Sequence, residues 1–456
     1  MASDVIVIGS GQAGVPLASR LAAAGRQVVL VERGDPGGTC VNTGCTPTKT
    51  MLASARAAHV ARNAGRLGVR TGDVRVDLAA VVDRKDKIVE QWRDGVKKRL
   101  AKAGERLTLV HGHARFVGPR EVEVAGARYS APIVVVNVGA RPAVPPVPGL
   151  DGLRWLDNGT LMGVRELPSH LIVLGGGYIG SEFAQMFRRF GSAVTVIDML
   201  DHLMGMEDPD VSAAIEAVFR AEGIELRLGA QVRSVAKSDG GLSVRLGDGS
   251  EVTGSHLLVA VGRRPNTHDL GCEAAGIELD AKGHIPVDDQ YRTNVEGVYA
   301  VGDVTPGPQF THASWDDHRI LFDVLNGRSA RRRSERLVPV TAFTDPQVAR
   351  VGLTEKEAKQ RNVSYESATM PFGHVARAIE LDETAGTMKV LLEPKTERIL
   401  GAAIVGAEAG ELIHIFVPLM QAGASARALV DAEYVHPTFA EGVQSLVMRL
   451  ARYALR

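Results

Sequence analysis

"DVIVIGSGQAGVPLASRLAAAGRQVVLVER" (residues 4–33) passes from an apolar strand pattern through a glycine turn into a helical pattern, then into a second apolar run ending at Glu32. Residues 170–199, "HLIVLGGGYIGSEFAQMFRRFGSAVTVIDM", repeat the plan and end at Asp198. In each copy the acid lies 23 positions beyond the first glycine. A strand, a G-x-G-x-x-G turn, a helix and an acid at that distance make a dinucleotide fingerprint. Gly9 and Gly175 allow the tight turn, Gly11 and Gly177 let backbone approach a pyrophosphate, and Gly14 and Gly180 permit close helix–strand packing. The helix N-terminus offers the phosphates positive potential. Glu32 and Asp198 can accept from ribose hydroxyls. Two fingerprints suggest two dinucleotides, and electron transfer between them.

Outward from this repeat, "VVVNVGARP" (134–142) and "LVAVGRRPN" (258–266) form another matched pair, each reading as the strand that closes its dinucleotide domain. "GVYAVGDV" (297–304) is a buried strand ending at Asp303, which can accept from a sugar or ribityl hydroxyl. From about residue 340 the texture changes to antiparallel strands plus a helix. The expected architecture is α/β: two Rossmann-like dinucleotide-binding domains and a C-terminal α+β domain. Residues 1–150 and a return segment 271–338 make the first domain, 151–270 the second and 339–456 the third. A chain of 456 residues is indeed too long for one core.

Composition excludes several classes. The 53 basic and 53 acidic residues balance, which gives no general attraction to nucleic acid or anionic membrane. The one basic cluster, "SARRRSER" (329–336), reads as a solvated linker. No run of about 18 apolar residues is present to span a membrane. The N-terminus enters a strand almost at once, leaving no room for a secretory signal, and three cysteines do not staple a secreted scaffold. A soluble, cytoplasmic protein is expected.

Two of those cysteines, Cys40 and Cys45, sit in "GGTCVNTGCTPTK" (37–49). In an ideal helix, residues five apart are about 8.7 Å apart at Cα, beyond the roughly 7 Å limit for a disulfide. A bridge therefore requires a distorted helix start, which Gly44 permits and Pro47 favours, since Pro47 cannot donate to the Thr43 carbonyl. Lys49, one turn beyond Cys45, would favour a thiolate. A metal site lacks further ligands nearby in sequence, and core thiols would not need flanking glycines. Cys272 has no such context and reads as structural. Near the C-terminus, "VHPTFAEGVQSL" (435–446) sets His436 and Glu441 five apart around a turn, so the carboxylate can orient the imidazole for acid–base work.

Taken together, "GGTCVNTGCTPTK", the two fingerprints, "GDV" and "HPTFAE" resemble the class I flavoprotein disulfide reductases over essentially the whole chain. The resemblance implies FAD and a nicotinamide dinucleotide as cofactors. It places Gly9, Gly11, Gly14, Glu32, Gly38, Thr39, Lys49, Ala114, Gly139, Asp303 and Thr311 around FAD. Gly175, Gly177, Tyr178, Ile179, Gly180, Asp198, Val232 and Gly262 fall to the nicotinamide cofactor. It implies a redox-active Cys40–Cys45 disulfide, with Cys40 the interchange thiol and Cys45 the thiol against the flavin. Glu182 matches a carboxylate that pairs with the lysine beside the flavin, and His436 with Glu441 matches an acid–base dyad serving the partner subunit of an obligate homodimer. Hydride would pass from NADH to FAD, to the disulfide and on to the acceptor. No resident metal is implied.

Within the family, "GGTCVNTGCTPTKTM", "GDVTPGPQFTHASWDDHRI" and "PFGHVARAIELDETAGTMKV" look closest to the mercuric-reductase-like branch, and to the reactive-chlorine-resistance branch that reduces Cu(II). The sequence departs from mercuric reductase in ending "SLVMRLARYALR" without a cysteine pair, in keeping His436 where tyrosine is usual, and in lacking an N-terminal metal-carrier domain. Asp198 would repel the 2′-phosphate of NADPH, which favours NADH and disfavours a glutathione reductase. The expected acceptor is a small disulfide or a thiol-bound metal ion. Dihydrolipoamide dehydrogenase is the alternative enzyme, and a flavin redox sensor the alternative outside catalysis.

Overall fold

A computed structural model describes residues 3–328 and 331–453. The chain folds as two compact units. The first takes the chain up to Thr50, then Val82–Ala143 and Gly262–Arg336. The second takes Met51–Val81, Val144–Val261 and the chain from Leu337 onward.

The first unit is built on a five-stranded parallel sheet, in the order Val298–Ala300, Ile133–Val136, Val5–Ile8, Val28–Glu32 and Leu107–His111. The three central strands are short, β-branched and apolar on both faces, as parallel strands covered on both sides require. Ile6, Ile8, Val29, Val31, Val134 and Val136 point into one core with Phe116, Val122 and Val124 of a small antiparallel sheet (Ala114–Gly118, Glu121–Val124, Ala127–Ser130). The alternate residues Val5, Val7, Val28, Leu30 and Val135 point into the other core, with the helices Gly14–Ala23 and Thr311–Leu325. Cys272 lies in the first of these cores, where burial pushes its thiol up to about 11. It is an inert core residue.

The second unit repeats the design. Its parallel sheet runs Glu225–Arg227, Ala193–Ile197, His170–Leu174, His256–Val259. The antiparallel strands Val232–Ser238, Gly241–Leu246 and Glu251–Gly254 cover Ile172, Leu174, Ile197, Leu257 and Val259. The helix Tyr178–Phe190 packs on the two central strands. The same unit holds a five-stranded antiparallel sheet, in the order Val340–Ala342, Gln347–Gly352, Ile399–Gly406, Thr387–Leu392 and Glu366–Pro371. Phe372, Phe416, Leu446 and Tyr453 close its core.

One expectation fails. Within the run 329–336, Ser329 and Ala330 lie outside the described residues, but Arg336 is turned inward rather than solvated, with its side chain 7% exposed. It donates to the buried Asp317 carboxylate at 2.7 Å, which also accepts from Tyr291 Oη at 2.6 Å and the Gly302 amide at 2.7 Å. A buried carboxylate needs a cation, and this arginine supplies it.

The glycine turns show why the helices sit where they do. Gly9 and Gly175 adopt φ of +101° and +103°. A Cβ on Gly14 or Gly180 would lie 2.0 or 1.8 Å from the carbonyl oxygen of Gly9 or Gly175. Backbone cannot move aside as a side chain can. Gly180→Ala should therefore cost roughly 1–3 kcal/mol of stability by forcing the helix off the sheet. Gly152→Ala, whose Cβ would meet no described atom within 4 Å, should stay within about 0.5 kcal/mol of wild type. Denaturant unfolding of both variants checks this, and equal stabilities would show the contact to be unimportant.

Candidate functional site

The two fingerprint loops share their hydrogen bonding. Glu32 accepts from the Ser10 amide at 2.9 Å, from Ser10 Oγ at 2.6 Å and from the Gly34 amide at 2.8 Å. Asp198 accepts from the Gly176 amide at 2.5 Å and the Leu200 amide at 2.8 Å. Each acid thus ties the glycine loop to the turn after the following strand. Among the described residues, neither Gly14–Ala23 nor Tyr178–Phe190 receives a side-chain cap. The Val15 and Leu17 amides turn back to the Gly11 and Ala13 carbonyls and the Ser181 amide to that of Gly177, so each helix starts directly from its glycine turn, with its positive end at the loop.

The surfaces beside these helix ends are backbone. A Cβ on Gly38, at φ +63°, would lie 2.7 Å from Gly11 Cα, so two glycines meet there. Cβ atoms on Gly139, Gly177 and Gly262 would meet no described atom within 4 Å. Such cradles fit a dinucleotide diphosphate in both units. In the first unit Ala114 is buried at a strand start, and Thr39 follows Gly38 in the short helix Gly38–Asn42. Asp303 sits in the turn Gly302–Val304, accepts from Ser314 Oγ at 3.3 Å and lies 3.9 Å from Arg263 Nε. Burial raises its carboxyl above the usual range, against the pull of Arg263. In the second unit Ile179 and Val232 are half-buried. Tyr178 is not open: its hydroxyl donates to Glu207, which Arg350 Nε holds at 2.9 Å, and burial pushes the phenol well up.

The distortion that the cysteine spacing requires is present. Cys40 lies in Gly38–Asn42, while Cys45 opens a separate helix, Cys45–Asn63. At the break, Thr43 has φ −141°, and a Cβ on Gly44 would lie 2.8 Å from the Thr39 carbonyl oxygen. The Thr48 amide and hydroxyl both turn back to the Gly44 carbonyl, at 3.1 and 2.7 Å. Neither cysteine is in a disulfide here; Cys40 is half-buried and Cys45 exposed. A hydrogen bond with Cys45, then burial, pushes the Cys40 thiol far up, while Thr311 and Lys49 pull it down. Cys45 Sγ lies 3.0 Å from Thr311 Oγ1.

In the second unit, His436 Nδ1 and Glu441 Oε2 are 2.9 Å apart. The imidazole side chain is 70% exposed and the carboxylate 20%. Thr438 fixes the carboxylate, donating its amide to Oε1 at 3.3 Å and accepting the Glu441 amide at 3.3 Å. Glu182 is buried and accepts the Phe343 amide at 2.8 Å. It shares a helix face with Gln185 and Arg189, which engage Asp345. Lys49 belongs to the first unit and Glu182 to the second.

Sequence reasoning missed three residues. Asn137, the lone polar residue in "VVVNVG", donates Nδ2 to the Gly9 carbonyl at 3.1 Å and so fixes the first glycine loop. Its polarity inside an apolar run was the available signal. Asp317 fixes the turn that carries Asp303 through the Gly302 amide. Glu207 restrains Tyr178, and nothing local in the sequence marks it.

Comparison with known proteins matches residues 3–317 to the pyridine nucleotide-disulphide oxidoreductases and residues 338–447 to the dimerisation domain of the same family, which supports a homodimer. The chain is 35% identical to mercuric reductase of Lysinibacillus sphaericus over 97% of its own length and 81% of the relative's. It is 34% identical to dihydrolipoyl dehydrogenase of Thermus scotoductus, over 99% and 98% of the two chains. The solved Cu(II) complex of the HOCl-induced flavoprotein disulfide reductase RclA from Escherichia coli superposes with TM-score 0.90 at 33% identity, over 98% of this chain and 100% of the other. Among the described residues, no helix is long and apolar enough to cross a membrane.

Proposed function

The chain belongs to the pyridine nucleotide-disulphide oxidoreductases, and we propose that within them it is an NADH-dependent reductase of a small disulfide or thiol-bound metal ion, of the mercuric-reductase-like type. As in its relatives, the enzyme uses FAD and NAD(P)H, which when bound supply the two-electron carriers. The observation that carries the reading is the thiol pair held across a helix break beside Thr311, in the unit with the first fingerprint.

Residues 1–150 with 271–338 form the FAD-binding domain, 151–270 the NADH-binding domain and 339–456 the dimerisation domain. Gly9, Gly11, Gly14, Gly38 and Thr39 hold the FAD diphosphate, Glu32 the ribose and Asp303 the ribityl chain, with Ala114 and Gly139 lining the site. Gly175, Gly177, Gly180 and Asp198 do the same for NADH, with Tyr178, Ile179, Val232 and Gly262 around them. Lys49 supplies positive charge near the thiols, and the buried Glu182 is a further catalytic carboxylate.

In the acceptor half-reaction, the Cys40 sulfur attacks one sulfur of the substrate disulfide. A Cys40–substrate bond forms, and the departing thiolate takes a proton from His436. Cys45 then attacks Cys40, which re-forms the internal disulfide and releases the second thiol. The Cys40 thiol is held protonated by its neighbour and by burial, so it needs a base to react. An exposed imidazole oriented by a carboxylate is suited to that role on a partner subunit. For a metal-ion acceptor, the same two sulfurs provide soft ligands. The Cu(II) complex of RclA supports that branch of the reading.

The direct test is spectroscopic. NADH added to the anaerobic FAD-loaded protein should produce a long-wavelength band from thiolate against flavin. Cys45→Ser should abolish it and Cys40→Ser should show it without reductant; spectra unchanged in both variants would overturn the redox-pair reading. Turnover with lipoamide, glutathione disulfide, Cu(II) and Hg(II) then ranks the acceptors, and a clear lipoamide preference would favour dihydrolipoyl dehydrogenase.

NADH should exceed NADPH in kcat/KM by at least about tenfold, because Asp198 faces a 2′-phosphate dianion and no arginine follows in "DMLDHLM". Steady-state rates with both nucleotides decide this, and an NADPH preference would refute it.

His436→Ala should leave stopped-flow flavin reduction by NADH within a few-fold of wild type. Disulfide turnover should fall by roughly two to four orders of magnitude. Glu441→Ala should cost less, since it orients rather than transfers. Normal disulfide turnover in His436→Ala would make the dyad structural.

A further inference from the structure

Thr311 opens the helix Thr311–Leu325, and its hydroxyl is 3.0 Å from Cys45 Sγ. The hydroxyl also reaches Cys40, whose thiol it pulls down against the larger push from Cys45. It has one proton to give, so it can donate to only one sulfur at a time. Three groups around the pair bear on which sulfur becomes the anion. Cys40, on the short helix, repels charge at Cys45 as Cys45 does at Cys40. Lys49 stands one turn along the Cys45 helix and attracts charge at either sulfur. The third group is the fifteen-residue helix that Thr311 begins, which among the described residues receives no side-chain cap. Its positive end favours an anion at the sulfur touching its first residue.

We propose that Thr311 donates its hydroxyl proton to Cys45 and thereby makes Cys45, rather than Cys40, the resident thiolate of the reduced pair. The inference rests on the redox-pair reading and deepens it. A proton donated to sulfur strengthens as the sulfur becomes anionic, because charge-assisted hydrogen bonds are about twice as strong as neutral ones. Cys40 keeps its proton and stays available to the acceptor, while the negative charge remains at Cys45. Valine would preserve the shape of the side chain and remove the donor.

The test is a pH titration of the thiolate–flavin band in the FAD-loaded Cys40→Ser background, where Cys45 alone can titrate. Thr311→Val should move the midpoint up by about one pH unit, a tenfold change in proton affinity. Thr311→Ala should do the same, which guards against a clash, and Thr311→Ser should titrate like the parent. A second readout needs no flavin: the pH dependence of Cys45 alkylation by iodoacetamide in the apoprotein, read by mass spectrometry, should shift in parallel. A band present in every variant with an unmoved midpoint would overturn the Thr311 role alone. A band absent even from the Cys40→Ser parent would remove the redox-pair reading together with it.

Discussion

The close approach of a helix to a glycine carbonyl is the constraint on which both halves of this molecule depend. Where Gly14 meets the Gly9 carbonyl and Gly180 meets that of Gly175, the absence of two Cβ atoms seats each helix against its sheet. That seating sets the uncapped helix end beside the turn, and the turn brings the backbone amides of Ser10 and Gly176 onto Glu32 and Asp198. The glycine turn and the carboxylate that holds it are therefore products of a single packing contact, made twice. The strands could not satisfy it alone. Their Val and Ile side chains bury both faces of each sheet, but they leave the helix free to slide.

A second constraint acts at the thiols. A continuous helix from Gly38 would keep Cys40 and Cys45 apart; the chain breaks at Thr43 and Gly44, and the Thr48 amide and hydroxyl hold the Gly44 carbonyl at the start of the next helix. The cost of the break is limited because Pro47 could not have donated to Thr43 in any case. The pair then takes its electrostatic character from chain segments distant in sequence: Thr311 comes from beyond the second fingerprint. Burial and mutual contact work on Cys40 in the same direction, both pushing its thiol up.

Much of this was legible in the sequence, and the reasons are physical. The fingerprints could be read because Gly9, Gly14, Gly175 and Gly180 each answer a local demand of sterics or φ, and such demands leave few alternatives. The His436–Glu441 pair could be read because a turn of five residues limits where the carboxylate can go. Arg336 could not, since its partner Asp317 is 19 positions away and an arginine-rich run looks the same whether it faces water or a buried carboxylate. The antiparallel pairing of Ala140–Pro142 with Arg263–Pro265 was hidden for a similar reason. The two segments looked like equivalent ends of separate domains, yet they are hydrogen-bonded to each other in one unit. Thr311 is the subtler case: the family resemblance alone suggested a cofactor contact for it, while its hydroxyl engages a sulfur.

The inward turn of Arg336 bears on how the molecule can be divided. The boundary between the units falls directly after this residue, at Leu337. A protease or an engineer cutting a few residues upstream would strip the guanidinium from Asp317 and leave a buried anion holding Tyr291 and the Gly302 amide. The turn bearing Asp303 would be the first part to feel that loss, although it lies more than thirty positions earlier in the chain. A first unit released from the rest must therefore carry the basic run through Arg336 as part of its own interior.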